Sequence, residues 1–177
     1  KKALVDYALP KNIKKMQADM EKYKIFYDKW FFESELHKSG AVKAVVDLLT
    51  EKGLTYEKDG AVWYKNKEVL TQKLLKEGKS QKYIDNLELK DDVLIRQNGN
   101  PTYFTADIAY HKNKFDRGFT TLIDVWGADH HGHVMRMKGA MDAIGYDGDK
   151  LNVVLMQLVK LVKDGELVKM SKRTGKA

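Results

Sequence analysis

The chain has no cysteine, so disulfides and thiolate-held metals are excluded, and its composition is compatible with a reducing cytoplasm. It also lacks any apolar run near the roughly 20 residues that a membrane-spanning helix requires. The opening stretch KKALVDYALPKN begins with two lysines but has no apolar core of signal-peptide length and no small-residue cleavage site. A cytoplasmic location with no membrane partner is therefore expected. What is present suits a soluble globular chain: 177 residues, 43% apolar and 32% charged, enough for one domain with room for a subdomain. Lysine and arginine outnumber aspartate and glutamate by 32 to 25, a net charge of +7. That excess favours polyanionic partners such as nucleic acid or nucleotide phosphates, and it equally suits a lysine-rich solubility surface.

In the first half, Ile13, Met16, Met20 and Tyr23 share one face of a helix predicted over about 11–22, followed by an aromatic, extended stretch IFYDKWFF (25–32). Val42, Val45, Val46 and Leu49 mark a second helix ended by Gly53. TYEKDGAVWY (55–64) places Asp-Gly between two β-prone runs, a strong hairpin signal. Residues 65–92 are lysine-rich, with one helix expected near 68–77, and read as a surface insertion carrying no evident chemistry.

The second half alternates. DVLIR (92–96) is a short buried strand, TYFTADIAYHKNKF leads into a helix, and TTLIDVW (120–126) is a strand whose apolar run suits burial on both faces. A helix over about 131–144 stops at Gly145. LNVVLMQLV (151–159) is a further buried strand, and KLVKDGELVKM (160–170) is an Asp-Gly hairpin. Strand, helix, strand, helix, strand with short joints argues for half of a parallel, doubly wound α/β sheet. Ligands bind such sheets at the carboxyl ends of the strands, where GADHHGH lies.

Two strings carry candidate chemistry. HHGH (130–133) fits the H-x-G-H pattern with which nucleotide-activating enzymes hold ATP phosphates. KMSKR (169–173) sets two lysines around a serine, and a mobile loop of that kind can neutralise charge developing on a leaving pyrophosphate. On the residues alone, each string is also compatible with no chemistry at all. Tyr103 and Asp107 stand four apart and share a helix face, which equally describes a core tyrosine and a capping aspartate.

The order FYDKWFFES, YEKDGAVWY, GNPTYFTADIAYHKNKFDRGF, WGADHHGHVMRMKGA and GELVKMSKRTG resembles that of bacterial arginyl-tRNA synthetases, which belong to the class I aminoacyl-tRNA synthetases. The resemblance covers most of the chain outside 65–90, and KMSKR looks like the KMSKS signature loop of that class. It implies the second half of a Rossmann-type nucleotide-binding fold, a parallel sheet flanked by helices, over 92–177. Residues 1–91 would be part of the connecting insertion of the catalytic domain. In the family the H-x-G-H signature lies earlier, at the first strand of the nucleotide fold. His133 and Lys169 are only 36 positions apart, too close to hold the other half of that fold, so HHGH is read as a coincidental match. The piece is accordingly expected to lack the true signature and the helical anticodon-binding domain, and to be inactive alone.

The implied parent reaction is the ATP-dependent activation of L-arginine to arginyl-adenylate and its transfer to the 2′-OH of tRNA(Arg) for protein synthesis, by a monomer. Mg2+ would accompany ATP, with no protein metal site. The resemblance implies that Asp107 accepts the guanidinium, Tyr103 walls the pocket and His130 lines it. Gly127, Ala128 and Asp129 would bring backbone close to the adenosine. Gln157 could contact adenine or satisfy backbone groups. Lys169, Met170, Ser171 and Lys172 would form the ATP loop, with Lys169 and Lys172 on the phosphates. His133 stands where relatives often carry tyrosine and receives no role; for it and His131, outer hydrogen bonding or exposure is the ordinary alternative.

Two other classes compete. ADHHGH also resembles the Asp-His-His string of metallo-phosphoesterases, with Asp107 and Asp124 as further ligands for manganese or zinc, but KMSKR would then be unexplained. A non-catalytic RNA-binding module would use the lysines and exposed aromatics, and would bind tRNA with steep salt dependence but not arginine. On the synthetase reading, Lys172→Ala in the full enzyme should slow adenylate formation by about a hundredfold or more while leaving arginine affinity nearly intact. An unchanged ATP–pyrophosphate exchange rate, measured with tRNA present, would refute that role.

Overall fold

The computed structural model describes residues 2–157 and 159–168. It divides into two units, residues 1–32 and 33–177. The first unit is one long helix, α1 (Lys2–Lys22), and an irregular aromatic stretch. The helix was expected to begin near residue 11; it starts nine residues earlier and runs through Pro10. Proline costs an interior helix one hydrogen bond, which ends the helix only when the flanking turns cannot hold it. Its end is a Schellman closure. Ile25 N–H donates to the Met20 carbonyl and Lys24 N–H to the Glu21 carbonyl, with Lys24 at a φ of 58°. Beyond it, the rings of Tyr27 and Trp30 meet edge to face at 5.4 Å.

The second unit opens with α2 (Glu33–Lys38) and α3 (Ala41–Glu51). The hairpin β1 (Thr55–Lys58) and β2 (Ala61–Tyr64) follows. Its Asp59 and Gly60 both take positive φ, 52° and 71°, as a tight two-residue turn requires. Next come α4 (Asn66–Lys76), α5 (Gln81–Asn86), β3 (Asp92–Ile95), α6 (Tyr103–Asp116) and β4 (Leu122–Gly127). A 3₁₀ turn, Ala128–His130, leads into α7 (His131–Ala143), and β5 (Leu151–Met156) and the hairpin β6 (Leu161–Lys163) with β7 (Glu166–Val168) complete the described chain. The ends marked by glycine in the sequence are real: Gly53 and Gly145 each occupy the left-handed residue that closes α3 and α7.

Three strand expectations need correcting. β3 does not join the parallel series; it pairs antiparallel with β2, giving a three-stranded sheet in the order β1-β2-β3. So short an apolar run, Val93–Ile95, carries no information about its partner, and the β1–β2 hairpin offered a free edge. The parallel sheet among the described residues is therefore β4 beside β5, in register from Leu122 with Leu151 to Gly127 with Met156. Nor is β4 covered on both faces. Leu122 and Asp124 are buried, whereas Ile123 and Val125 are exposed, as are Val154 and Met156 on β5. β5 is thus half-buried rather than buried.

Residues 65–92 are not a surface insertion. α4 packs on α7, burying Leu70 and Leu74, and Leu70 lies where a Cβ on Gly139 would come within 2.7 Å of its Cδ2. The core continues through Met137, Met141 and Leu151 to Ile108, Leu94, Tyr64, Leu49 and Val45. α2 and α3 both pack on α6.

A buried charged cluster ties α6 to β4. His111 Nδ1 lies 2.7 Å from the Asp107 carbonyl and Nε2 lies 2.5 Å from Asp124 Oδ2. The ring thus bridges the α6 backbone and the β4 carboxylate. Lys114 Nζ takes the other Asp124 oxygen at 2.6 Å. Burial alone would push the Asp124 carboxyl up, but His111 and Lys114 outweigh it and hold the group below the usual 3.8. Its ionised form therefore contributes stability that is fully present above about pH 4 and is lost as pH falls through the depressed folded value. Asp124→Asn should cost about 3–5 kcal/mol near neutrality, because it removes the charged partner of Lys114 and His111 from a buried position. It should also make the fall in melting temperature between pH 6 and pH 3 shallower than in the parent chain. An equally steep fall in both would contradict this account of the cluster.

Candidate functional site at the end of β4

The site is built where β4 ends. Gly127 closes the strand, the 3₁₀ turn carries Asp129 and His130 outward, and α7 starts at once. The facing wall is the first turns of α6, which threonines fasten to β3. The Thr102 hydroxyl caps the helix by accepting from Thr105 N–H and donates to the Val93 carbonyl at 2.8 Å. The Thr105 hydroxyl, fully buried, donates to the Leu94 carbonyl at 2.8 Å. Tyr103 and Asp107 therefore project from a helix start that has little freedom to shift.

Between these walls lies a cleft of about 820 Å³ lined by Tyr103, Phe104, Asp107, Asp129, His130, Gly132, His133 and Arg136. Its far side is Asn66, Leu70 and the stretch Leu87–Lys90. That stretch is pinned to the start of α4, because Asn66 Nδ2 donates to the Lys90 carbonyl at 2.9 Å and Lys67 N–H to Asp91 at 3.0 Å. The supposed insertion thus supplies one wall of the site.

Four of the sequence-derived candidates come together here: Tyr103, Asp107, Asp129 and His130. Gly127 is adjacent, and a Cβ on it would stand 2.6 Å from Asp129 Oδ1. Gln157, the residue after β5, is exposed and is not among the residues lining the cleft. Lys169, Met170, Ser171 and Lys172 lie outside the described residues.

The electrostatics favour a cation. Among the described residues no lysine or arginine lies within ion-pair distance of the Asp107 or Asp129 carboxylates; the imidazoles beside them are His133 at 3.3 Å from Asp107 and His130 at 3.9 Å from Asp129. Arg136, the guanidinium in the wall, is already committed to Asp92 at 2.5 Å. Burial pushes the Asp92 carboxyl up, and Arg136 opposes that shift without cancelling it. Arg136 also donates to His133 Nδ1 at 3.0 Å and lies over the Phe104 ring at 5.4 Å. Among the described residues no three carboxylate or histidine groups are gathered closely enough to hold a metal ion. Asp124, the further ligand of the phosphoesterase alternative, has both oxygens taken by His111 and Lys114.

The sequence reading gave His133 no role and passed over Arg136 and Asp92. The spacing of His133 and Arg136, three apart on one helix, was the visible signal. Asp92, 44 residues from Arg136, left none.

The chain is 55% identical, over 99% of its length, to an arginine–tRNA ligase of Caldanaerobacter subterraneus. It is 51% identical over its whole length to that of Ruminiclostridium cellulolyticum. Over its whole length the chain is thus similar to one segment of arginyl-tRNA synthetases. It spans 28% of the length of these relatives. Among solved structures, a Campylobacter jejuni arginyl-tRNA synthetase superposes with a TM-score of 0.74 at 37% identity, covering 95% of this chain and 33% of that one. The arginyl-tRNA synthetase of Thermus thermophilus, at 17% identity and a TM-score of 0.63 over 79% of this chain and 28% of that one, shares the fold. No protein-family model matches the chain.

Proposed function

We propose that this segment forms the arginine-binding wall of an arginine–tRNA ligase. The longer enzyme would activate L-arginine with ATP and transfer it to tRNA(Arg), in the cytoplasm and as a monomer. Residues 92–177, apart from β3, which pairs with the β1–β2 hairpin, would be the C-terminal half of its Rossmann-type fold, and residues 1–91 part of the connecting insertion. The observation that carries the reading is Asp107. Its carboxylate faces a cleft at the end of a parallel strand, four residues after Tyr103, with no described lysine or arginine near enough to neutralise it.

A guanidinium leaving water needs a carboxylate, ideally through two parallel N–H···O bonds. Asp107 would supply it. Tyr103, exposed at the cleft mouth, would close over the side chain when arginine arrives, and His130 would line the opposite edge. Arginine's own carboxylate would then point toward the end of β4, where Gly127 and Asp129 would receive the adenosine. The chemistry is attack of that carboxylate on the α-phosphate, forming a C–O–P bond as pyrophosphate departs. The ribose 2′-OH of tRNA then displaces AMP from the arginyl carbonyl. The protein's share is positioning and charge stabilisation. Lys169 and Lys172, with Met170 and Ser171, would act on the leaving phosphates, and Gln157 on the adenine. Mg2+ would be held chiefly by the phosphates and water, as suits an ion that dehydrates reluctantly.

In the full enzyme Asp107→Asn should weaken arginine binding by about a few hundredfold or more while leaving ATP binding close to normal. Asparagine keeps the shape but turns an NH₂ toward the guanidinium's own donors. Arginine affinity and thermal stability, measured together, decide it. A loss of less than about tenfold with the fold intact would place the guanidinium elsewhere.

A further inference from the structure

We propose that His133 is the positioning residue of the arginine pocket, holding the Asp107 carboxylate in the orientation that receives a guanidinium; this rests on the reading of Asp107 given above.

The argument begins with the proton on the ring. Arg136 donates to His133 Nδ1 at 3.0 Å, and a guanidinium has no lone pair to offer in return. Nδ1 is therefore the acceptor nitrogen, and the ring hydrogen sits on Nε2. That nitrogen is buried and makes no aligned hydrogen bond, yet Asp107 Oδ2 lies only 3.3 Å away. A buried donor without an acceptor is costly, and the acceptor one small rotation away is the proposed substrate-binding group.

The ring cannot make that rotation itself. It is held between Phe104, with centroids 5.5 Å apart, and Trp126, at 5.3 Å. Arg136 is anchored in turn by Asp92 at 2.5 Å. The Asp107 side chain is about half exposed and is the partner free to move. Contacts of this kind are often loose without substrate and tighten with it. When a guanidinium arrives, Oδ2 can spend one lone pair on His133 Nε2–H. Oδ1 and the remaining Oδ2 lone pair are left for the two parallel bonds of the fork. Without the histidine donor the carboxylate keeps its charge but samples other orientations, so arginine affinity falls while the phosphate chemistry is untouched.

The two amide side chains separate the two ring nitrogens. In the full-length ligase His133→Gln keeps a donor near the reach of Nε2, whereas His133→Asn keeps only an acceptor near Nδ1 for Arg136. With tRNA present, ATP–pyrophosphate exchange by His133→Asn should show a KM for arginine raised about tenfold or more, the worth of one hydrogen bond to a charged group, with kcat and the KM for ATP little changed. His133→Gln should recover most of that loss. Combining His133→Asn with Asp107→Asn should cost little beyond Asp107→Asn alone, because the histidine acts through that carboxylate. A normal arginine KM in a folded His133→Asn enzyme overturns the proposal. So does equal impairment of Asn and Gln variants, or full additivity with Asp107→Asn. If Asp107→Asn itself leaves arginine affinity intact, the pocket assignment fails first, and this inference with it.

Discussion

An unneutralised carboxylate at the wall of a cleft is the constraint around which the rest of this unit is arranged. On the proposed reading Asp107 holds a charge ready for a ligand, which the protein's own cations must leave unsatisfied. Two of the basic side chains on α6 and α7 are committed elsewhere. Arg136 is bound by Asp92, and Lys114 by Asp124. The chain carries a net charge of +7, and still both cleft carboxylates lack a described lysine or arginine within pairing distance.

Orientation matters as much as charge. Asp107 sits on the second turn of α6, and that helix is anchored at both ends of the relevant segment. Thr102 and Thr105 bond to the carbonyls of β3, while His111 reaches back to the Asp107 carbonyl and across to Asp124 on β4. One helix is thereby fixed to two different sheets, and the cleft opens between them. A displacement of β3 would reach the carboxylate directly, which gives the antiparallel placement of that strand a functional consequence.

Local features were readable from the sequence. Asp59-Gly60 and Asp164-Gly165 each specify a tight turn, and both pairs take positive φ. Glycines 53 and 145 marked where α3 and α7 end. The four-residue spacing of Tyr103 and Asp107 placed them on one helical face, and they share the cleft. What escaped depends on partners distant in the chain. β3 reads as a buried strand whichever sheet it joins. Residues 65–92 look like a solvated insertion because lysines dominate, yet Leu70, Leu74 and Ile84 are enough to anchor two helices in the core. His133 could not be valued from sequence, since its significance comes from Asp92, 41 positions away, acting through Arg136. Composition hid packing in one case and chemistry in the other.

The central claim is that the guanidinium of arginine is held by Asp107 at the end of β4. A crystal structure of the full-length ligase with L-arginine bound tests it most directly. The account requires both terminal guanidinium nitrogens within hydrogen-bonding reach, about 2.7–3.2 Å, of the Asp107 carboxylate oxygens. Tyr103 should lie over the same side chain. A guanidinium seated on another acid, with Asp107 turned to solvent, would contradict it.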